Sequence, residues 1–268
     1  MLLPAQIPQH IAAVDMDAFL ALISALMFVG LKTQNVAAEN LKDYFVNCHP
    51  GDQDFDECVR NGINSAKHLM PFGAPEYDLP PFDPFHAKEV LHKRSGPLMQ
   101  YKLRVLNVLE SGWRYSTVTR FKSDLANQKI TYEQTFPEKF LSGEYEFEGS
   151  LVPVRVNNKG TFNLTLYDYN QTTTVTRRRR DSGIADGNPL TVRIENTGVR
   201  DMKIYISNLL RGSTVLEELM GNVINRTWRP FFPLFRPAID DMVSSAFTLI
   251  FSRAFQNFPF EEVFTPAR

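Results

Sequence analysis

The segment from Ser213 to Phe255 constrains the fold most, because it combines a helical repeat with very little polar surface. In its first half, apolar residues recur at steps of three and four, which is the period of an α-helix. They are Leu216, Leu219, Met220, Val223, Ile224 and Trp228. Thr214 and Glu217 have the spacing of a capping box, so we expect a helix to begin near residue 214.

Three prolines, Pro230, Pro233 and Pro237, follow this first apolar face. Each lacks a backbone N–H, so the pattern predicts that the helix is interrupted or kinked, with a second piece beginning at Pro237. The second piece is apolar over about half of its circumference or more, whereas an ordinary surface helix is apolar over roughly 100°. A helix this apolar must be covered by the rest of the chain.

The middle of the chain predicts an antiparallel sheet, because apolar and polar residues alternate along several segments. Turn signals at Ser142–Gly143, Asn157–Gly160 and Asp186–Pro189 separate these segments. We expect six or more strands, apolar on one face. The alternating sets are Met99/Tyr101/Leu103/Val105, Ile130/Tyr132, Tyr145/Phe147, Phe162/Leu164/Leu166, Leu190/Val192/Ile194 and Met202/Ile204/Ile206.

Two shorter segments precede the strands. Val59 to Met70 predicts a short helix that Pro71 and Gly73 terminate, and the proline-rich stretch from Gly73 to Pro84 predicts extended backbone. Helices do not alternate with the strands, so a parallel α/β fold is disfavoured. The pattern predicts an α+β chain, and no internal repeat or linker divides it.

The N-terminus has the pattern of a signal peptide. Ala18 to Leu31 contains no charged residue and suits the apolar core of such a leader, and Ala38 offers a small residue for cleavage. The preceding region lacks Lys and Arg, and Met16 is an alternative start. A buried N-terminal helix is the other interpretation. We expect a signal peptide at 1–38 and a single domain at 39–268.

The two cysteines, Cys48 and Cys58, allow one disulfide at most within the chain. In an oxidising compartment they can close a short loop that Pro50 and Gly51 help to turn. The alternating aspartates of this loop resemble the start of a calcium site, but Glu57 and Ile63 replace the glycine and the closing glutamate. We therefore expect no metal there.

Three Asn-x-Thr sequons, at Asn163, Asn170 and Asn225, are candidate glycosylation sites if the chain is secreted. Charge gives no sign of a nucleic-acid partner or of attraction to an anionic membrane, because 29 basic and 30 acidic residues nearly balance. The run Arg177–Arg180 has three possible interpretations: a solvated hairpin loop, a proteolytic processing site, or a contact with nucleic acid. The contact with nucleic acid is the least favoured of the three.

Short motifs follow one another in order along the chain. They are Cys48…Cys58, Gly73-Ala-Pro75-Glu76, Leu79-Pro80-Pro81-Phe82-Asp83-Pro84, Asn107…Gly112, Gly149-Ser-Leu-Val, Gly160-Thr-Phe162, Asn208-Leu-Leu-Arg-Gly212, Asn225-Arg-Thr-Trp228 and Phe258-Pro259-Phe260…Phe264. Together they resemble the takeout and juvenile-hormone-binding protein family of insects. The chain lacks the second disulfide of the hormone binders, so it is more similar to the takeout branch.

The resemblance implies an α+β fold of the tubular lipid-binding type. A strongly curved antiparallel sheet would wrap around the long, kinked C-terminal helix and enclose an apolar tunnel. Members of the family are secreted carriers of juvenile hormone or other elongated apolar molecules. The resemblance implies no enzyme and no cofactor.

The residues themselves also offer no catalytic site. The chain has no Gly-x-Ser-x-Gly motif, and its histidines fall in no metal or triad spacing. We therefore expect neither catalytic residues nor a metal, no nucleic-acid partner, and no stable membrane insertion once the signal peptide is removed. A protein receptor is not identified by the sequence.

The predicted partner is a hydrophobic small molecule, a terpenoid like juvenile hormone or a fatty-acyl compound, held mainly by buried apolar area. The alternative is a secreted interaction protein whose tunnel has collapsed near Pro230 and Pro233. Candidate ligand contacts are Trp113, Tyr101, Tyr132, Tyr145, Val223, Trp228, Phe231, Phe247 and Phe251.

Overall fold

The computed structural model describes residues 39–96, 99–151, 154–177, 190–208, 214–255 and 258. The predicted signal peptide, Arg178–Arg180 and the predicted turn at residues 186–189 lie outside this part of the chain, as does the side chain of Thr214 in the predicted capping box. Those expectations stay predictions.

The described chain is an α+β fold with two α-helices and six strands. One helix precedes the strands and the other follows them, in agreement with the predicted fold class. The elements are α1 (Phe55–Ala66), β1 (Phe85–Arg94), β2 (Met99–Ser111), β3 (Thr117–Asp124), β4 (Lys129–Leu151), β5 (Val154–Arg177), β6 (Leu190–Ile206) and α2 (Thr214–Ala254).

The strands form one antiparallel sheet in the order β1-β2-β4-β5-β6, with β3 also paired to β4. Strands β2 and β3 share the same edge of β4. The first pairs with its C-terminal half, from Phe140 to Leu151, and the second with its N-terminal half, from Lys129 to Thr135. The predicted antiparallel sheet is confirmed.

Two strands are much longer than the sequence predicts. β4 runs for 23 residues through Ser142–Gly143, and β5 runs for 24 residues through Asn157–Gly160, so the turns predicted there are wrong. A Cβ on Gly143 would lie 2.9 Å from the carbonyl oxygen of Leu106, and one on Gly160 would lie 2.6 Å from that of Ser207. These glycines permit close approach of backbones rather than chain reversal.

Other local predictions also need correction. Two strands, β1 and β3, were not expected, and β6 joins two segments predicted as separate strands. The helix predicted from Val59 begins earlier, at Phe55, and ends at Ala66 before a 3₁₀ turn at Lys67–Leu69. The segment predicted to be extended contains a 3₁₀ turn at Pro75–Tyr77, closed by an isolated bridge between Ala74 and Leu79.

The C-terminal helix α2 is one helix of 41 residues that contains Pro230, Pro233 and Pro237. The predicted interruption is therefore wrong. A proline inside a helix costs about 3 kcal/mol, because one backbone hydrogen bond is lost and the ring crowds the preceding turn. The helix tolerates this cost because side chains before and after the prolines attach it to β6.

The attachment is a row of polar side chains on α2 that pair with the free backbone edge of β6. Ser244 Oγ accepts from Ile194 N (2.8 Å) and donates to Ile194 O (3.2 Å), and Thr248 Oγ1 does the same with Val192 (2.9 and 3.0 Å). We call this row the edge stripe; its members are Asn225, Asp240, Ser244, Thr248 and Ser252.

The spacing of the edge stripe follows from helix and strand geometry. Four residues of helix advance about 6.0 Å, and two residues of strand advance about 6.6 Å. Residues 240, 244, 248 and 252 of α2 therefore stay in register with residues 196, 194, 192 and 190 of β6. The helix takes the place of a neighbouring strand and covers an edge that would otherwise be open.

Three clusters of buried residues lie in the described part of the chain, and the smallest is Phe85, Ala87 and Val108 on β1 and β2. The other two adjoin the candidate site. One is between the sheet and the C-terminal part of α2 and is centred on Trp113, Phe136 and Phe247. The other joins α1 to the end of α2 and to Phe258, and contains Phe55, Val59 and Leu79 among others. The candidate site lies where these two clusters meet.

Candidate ligand-binding site

A cavity of about 570 Å³ lies between α1, the N-terminal part of β4 and the end of α2. From α1 it is lined by Val59, Ile63 and Ala66, and from the end of α2 and beyond by Phe251, Phe255 and Phe258. Most of its other lining residues are also apolar. The volume is within the range of about 300–1,000 Å³ that is typical of pockets for small molecules.

The predicted disulfide between Cys48 and Cys58 is confirmed. Cys48 is buried in the same cluster as Phe45, Phe55 and Val59, and each of these three residues lines the cavity. The bond therefore ties the segment before α1 to α1 itself, and holds one wall of the cavity.

Asp83 fixes the position of Trp113, a large side chain that lines the cavity. The Asp83 carboxylate is buried and accepts from the backbone N–H groups of Gly112 (3.1 Å) and Arg114 (2.9 Å), the two neighbours of the tryptophan. The indole ring then packs edge-on against Phe82 and Phe136. Its place on the cavity wall is set by these contacts.

A short chain of hydrogen bonds connects Trp113 to Gln134 of β4. Ser116 Oγ donates to the carbonyl oxygen of Trp113 (2.6 Å), and Gln134 Nε2 donates to Ser116 Oγ (2.6 Å). Gln134 and Trp113 both line the cavity. Sequence reasoning missed Gln134 and Ser116, because nothing in the strand pattern distinguishes them from other polar strand residues.

Lys139 and Glu110 form an ion pair beside Trp113, outside the cavity lining. Nζ and Oε1 lie 2.6 Å apart, and each side chain is 6% exposed. The Lys139 ammonium group also lies 4.4 Å from the ring centre of Trp113, 4.5 Å from that of Phe136 and 5.2 Å from that of Tyr169. The charge is thus compensated by a carboxylate and by aromatic faces.

Two tyrosines of this region, Tyr132 and Tyr169, have raised pKa values. Burial raises the pKa of Tyr132, which lines the cavity, to about 12, and a hydrogen bond with Thr173 opposes part of that shift. Burial also raises the pKa of Tyr169, and the negative charges of Glu110 and Asp240 add to the effect. Neither phenol ionises near neutral pH, so the tyrosine ring on the cavity wall contributes no charge.

The structure brings some of the predicted ligand contacts together and separates others. Trp113, Tyr132 and Phe251 line the cavity. Phe247 lies directly behind it, with its ring centre 5.6 Å from those of both Trp113 and Phe251.

The other predicted contacts lie away from this cavity. Tyr101 stacks on Phe147, and the Tyr145 hydroxyl donates to the carbonyl oxygen of Ser207. Trp228 is buried beside Phe232 on α2. Val223 and Phe231 are 52% and 57% exposed on the same helix. The part of α2 that carries Pro230 and Pro233 does not line the cavity.

The three sequons differ in their surroundings. Asn163 is exposed on β5, and Asn170 is partly exposed on the same strand. Asn225 belongs to the edge stripe: its Oδ1 accepts from Ile204 N (2.8 Å) and its Nδ2 donates to Ile204 O (3.0 Å). The amide nitrogen that would carry a glycan is therefore in use at Asn225.

A second, smaller cavity of about 350 Å³ lies between α1 and β3 and is polar. Two of its acidic side chains have partners: Asp56 accepts from Ser123, and Glu57 pairs with Arg60 at 2.7 Å. Among the described residues, no group of His, Cys, Asp or Glu is placed to hold a metal ion. Within the same residues, no helix is both long and apolar enough to cross a bilayer.

The fold was compared with the solved structures of other proteins. The chain resembles the crystal structure of Takeout 1 from Epiphyas postvittana, with a TM-score of 0.55 and 16% identity, over 84% of this chain and 98% of that one. Lipopolysaccharide binding protein matches at a TM-score of 0.28 and 12% identity, over 75% of this chain and 38% of that one, which is too weak to support an argument. None of the curated protein sequences compared with the chain matches it.

The sequence comparison with protein families covers nearly the whole chain. The family described as "Haemolymph juvenile hormone binding protein (JHBP)" matches residues 22–265. The matched region contains the disulfide, all six strands, both helices and every residue that lines the apolar cavity. The chain belongs to the haemolymph juvenile hormone binding protein family.

Proposed function

We propose that this protein is a secreted, non-enzymatic carrier that holds an elongated hydrophobic small molecule in the cavity between α1, β4 and the end of α2. The observation that carries the proposal is the cavity itself, about 570 Å³ of space lined mainly by apolar side chains. An open apolar volume of this size favours a carrier over an interaction protein with a collapsed tunnel.

Burial of apolar surface supplies the binding free energy in this proposal. At about 25 cal/mol per Å², a ligand that buries a few hundred Å² of apolar surface gains several kcal/mol without any charged contact. The aromatic rings of Trp113, Tyr132 and Phe251 provide large contact areas on rigid elements. No catalytic step is needed for this role.

The family description names a hormone-binding protein of the haemolymph, and this supports a terpenoid or fatty-acyl ligand. We propose that the ligand occupies the described cavity first and that only a long ligand extends from it along the sheet. Tyr101 lies opposite Gly149 on β4, more than ten residues along the strand from the cavity residue Gln134. Contacts to Tyr101 and Tyr145 therefore require a tunnel along much of the sheet.

Secretion is part of the proposal and is supported by the disulfide, since such bonds persist in oxidising compartments. The haemolymph named in the family description is also an extracellular fluid. Of the sequons, Asn163 has the exposure that a glycan requires, Asn170 is intermediate, and Asn225 is occupied by its contacts to β6.

A cavity-filling substitution tests the proposed function. Ala66 is buried at the end of α1 and lines the cavity, whereas its neighbour Ser65 is exposed. We expect Ala66→Phe to weaken binding of the apolar fluorescent probe N-phenyl-1-naphthylamine by about tenfold or more, equal to about 1.4 kcal/mol. Ser65→Phe, the matched control, should bind the probe as the unaltered protein does.

Circular dichroism and thermal unfolding of each variant show whether it is folded. If the folded, unaltered protein binds neither the probe nor any terpenoid or fatty-acyl compound in native mass spectrometry, the carrier function is wrong. Equal probe binding by both variants would place the ligand elsewhere than in this cavity.

A further inference from the structure

The first half of α2 carries a row of exposed side chains at steps of four residues. The row is Leu219, Val223, Thr227, Phe231 and Phe235. Residues four apart are neighbours on the helix surface, and the helix advances about 24 Å from residue 219 to residue 235. The row is therefore continuous along the helix, and we call it the exposed ridge.

The exposed ridge is almost entirely apolar. Leu219 and Val223 are 57% and 52% exposed, and Phe231 and Phe235 are 57% and 50% exposed. The hydroxyl of Thr227 is already paired, because it donates to the carbonyl oxygen of Val223 at 2.7 Å. A contiguous apolar surface of this kind is typical of a contact with a membrane or with another molecule.

Neither the attachment of α2 nor the candidate site uses the exposed ridge. The same segment is held to the sheet by Asn225, which bonds to both backbone groups of Ile204, and it also contains Trp228, which is 7% exposed. Each residue of the ridge lies outside the lining of the apolar cavity. The ridge therefore has no role in the functions described so far.

Positive charge accompanies the exposed ridge. Residues 219–239 contain three arginines, all of them exposed, and no acidic residue. The acidic residues of α2 lie beyond both ends of this region, at 217–218 and 240–241. The arginines are Arg226, Arg229 and Arg236. The near balance of charge over the whole chain conceals this local excess.

The prolines of α2 limit how deeply the exposed ridge can enter an apolar medium. A proline has no N–H to donate to the carbonyl group four residues earlier. The carbonyl groups four residues before Pro230, Pro233 and Pro237 therefore lose their usual partner within the helix. An unpaired carbonyl group is costly in the hydrocarbon core of a bilayer, whereas water reaches the head-group layer. This arrangement suits contact at a membrane surface.

We propose that the exposed ridge docks the protein on an anionic lipid surface, with its apolar side chains in the head-group layer and Arg226 and Arg236 beside lipid phosphates. Helices with an apolar face and basic residues bind in the plane of the interface in this way. A carrier docked there is placed to exchange its ligand with the membrane. The inference goes beyond the proposed carrier function and does not depend on it, since the ridge and the cavity are separate.

A second copy of the chain is the other occupant to consider. In a symmetric dimer the same surface meets itself. Contact between two ridges would bring the three arginines of each copy into one interface, without an acidic residue from residues 219–239 to compensate them. Like charges oppose such a contact, so the charge of the region favours an anionic partner.

Co-sedimentation with lipid vesicles tests the proposal. A basic residue near an anionic surface strengthens binding by about fivefold. We expect the protein to bind vesicles of phosphatidylcholine and phosphatidylserine about tenfold or more tighter than vesicles of phosphatidylcholine alone, and added salt to weaken the binding. All variants are produced from the full chain in the same eukaryotic host, so only the substituted residues differ between them.

Two substitutions test the apolar part of the exposed ridge. Phe231→Ser and Phe235→Ser should each weaken binding to the anionic vesicles by roughly 3- to 10-fold, because one apolar side chain no longer enters the interface. Phe72→Ser is the matched control, since Phe72 is 72% exposed but lies between α1 and β1. It should bind the vesicles as the unaltered protein does.

A double substitution tests the charge independently of the phenylalanines. Arg229 already pairs with Asp201 at 3.1 Å, so the variant is Arg226→Gln with Arg236→Gln. It should bind the anionic vesicles about 25-fold more weakly and the neutral vesicles as before. The control, Lys88→Gln with Lys122→Gln, removes the same charge at exposed residues of β1 and β3 and should keep full binding.

Failure of the folded protein to bind the anionic vesicles would overturn the inference, as would equal affinity for both kinds of vesicle. Binding that neither the phenylalanine nor the arginine variants weaken would also overturn it. Light scattering without lipid gives a further measurement: a dimer that Phe231→Ser dissociates would assign the exposed ridge to a second copy instead.

Binding of N-phenyl-1-naphthylamine separates this inference from the carrier function. Phe231→Ser should bind the probe with full affinity, because Phe231 does not line the cavity. An unaltered protein that binds the probe but not the vesicles would refute the docking surface alone. One that binds the vesicles but no apolar ligand would refute the carrier function alone.

Discussion

Lys139 and Glu110 form an ion pair in the least expected place, within an aromatic cluster of the core. Removing one partner of a buried pair leaves an uncompensated charge, which typically costs 3–5 kcal/mol, whereas replacing both partners by apolar residues is often neutral. We expect Lys139→Met to lower the free energy of unfolding by about 3 kcal/mol or more. Urea denaturation at neutral pH measures this change.

The double variant Lys139→Met with Glu110→Leu is the control. It should recover most of the lost free energy, because no buried charge remains. A single variant as stable as the unaltered protein would show that Glu110 finds another partner or is neutral, and would contradict the assignment of this pair.

The sequence does not predict this pair, because on β4 a charged residue is buried where the alternation of apolar and polar residues predicts an exposed one. On β4, Lys139 is 5% exposed while the neighbouring Phe140 is 38% exposed. A pattern that places apolar residues inside assigns these two residues to the opposite faces. Burial of Lys139 depends on Glu110 of β2 and on the rings of Trp113 and Tyr169 from other segments, and such contacts do not appear in a local pattern.

At the scale of elements, the hydrogen bonds of the edge stripe determine the position of α2 against β6. The Ser244 hydroxyl forms hydrogen bonds with both the N–H and the C=O of Ile194. Its neighbour Ser245 is exposed, and its hydroxyl donates to the carbonyl oxygen of Asp241 within the same helix. We expect Ser244→Ala to cost about 1–3 kcal/mol, because a backbone N–H and C=O at the strand edge lose their partners. Ser245→Ala should change stability by no more than about 0.5 kcal/mol.

Urea unfolding of the two serine variants measures the difference. Hydrogen exchange of the Ile194 amide gives a local readout, which should become faster in Ser244→Ala and remain unchanged in Ser245→Ala. Equal stability of the two variants would mean that the contact to β6 contributes nothing to the attachment of the helix.

The sequence predicts the elements better than their lengths. The apolar period identified α2, and alternation identified the core segments of β2, β4, β5 and β6. The continuity of α2 through Pro230, Pro233 and Pro237 was not predictable from propensity, because it depends on β6. A polar residue at every fourth position from Asp240 to Ser252 is visible in the sequence and is the one signal that could have indicated the attachment.

At the scale of the whole molecule, the described cavity occupies one end of the sheet. Its walls come from segments as distant as Leu41 and Phe258, so the site exists only when both ends of the domain are in place. Trp113, Tyr132 and Phe251 were predicted as contacts and lie together there, whereas the contribution of α1 was not predicted. Aromatic content indicated which side chains are suited to a ligand, but only the fold determines which of them meet.

The disulfide links this end of the molecule to ligand binding. Cys48 and Cys58 are separated by 10 residues, and closing a loop of that size stabilises the folded state by about 3 kcal/mol in the chain-entropy description. Because the loop adjoins Phe45, Phe55 and Val59 on the cavity wall, we expect the variant with both cysteines changed to alanine to lose stability and to bind the apolar probe more weakly.

Thermal unfolding and probe titration, each with and without a reductant, test this last expectation. The reductant should lower the midpoint of the unaltered protein towards that of the double alanine variant, and should leave the variant unchanged, since it has no disulfide to reduce. A variant that unfolds at a lower temperature but binds the probe with full affinity would show that the bond stabilises the domain without shaping the cavity.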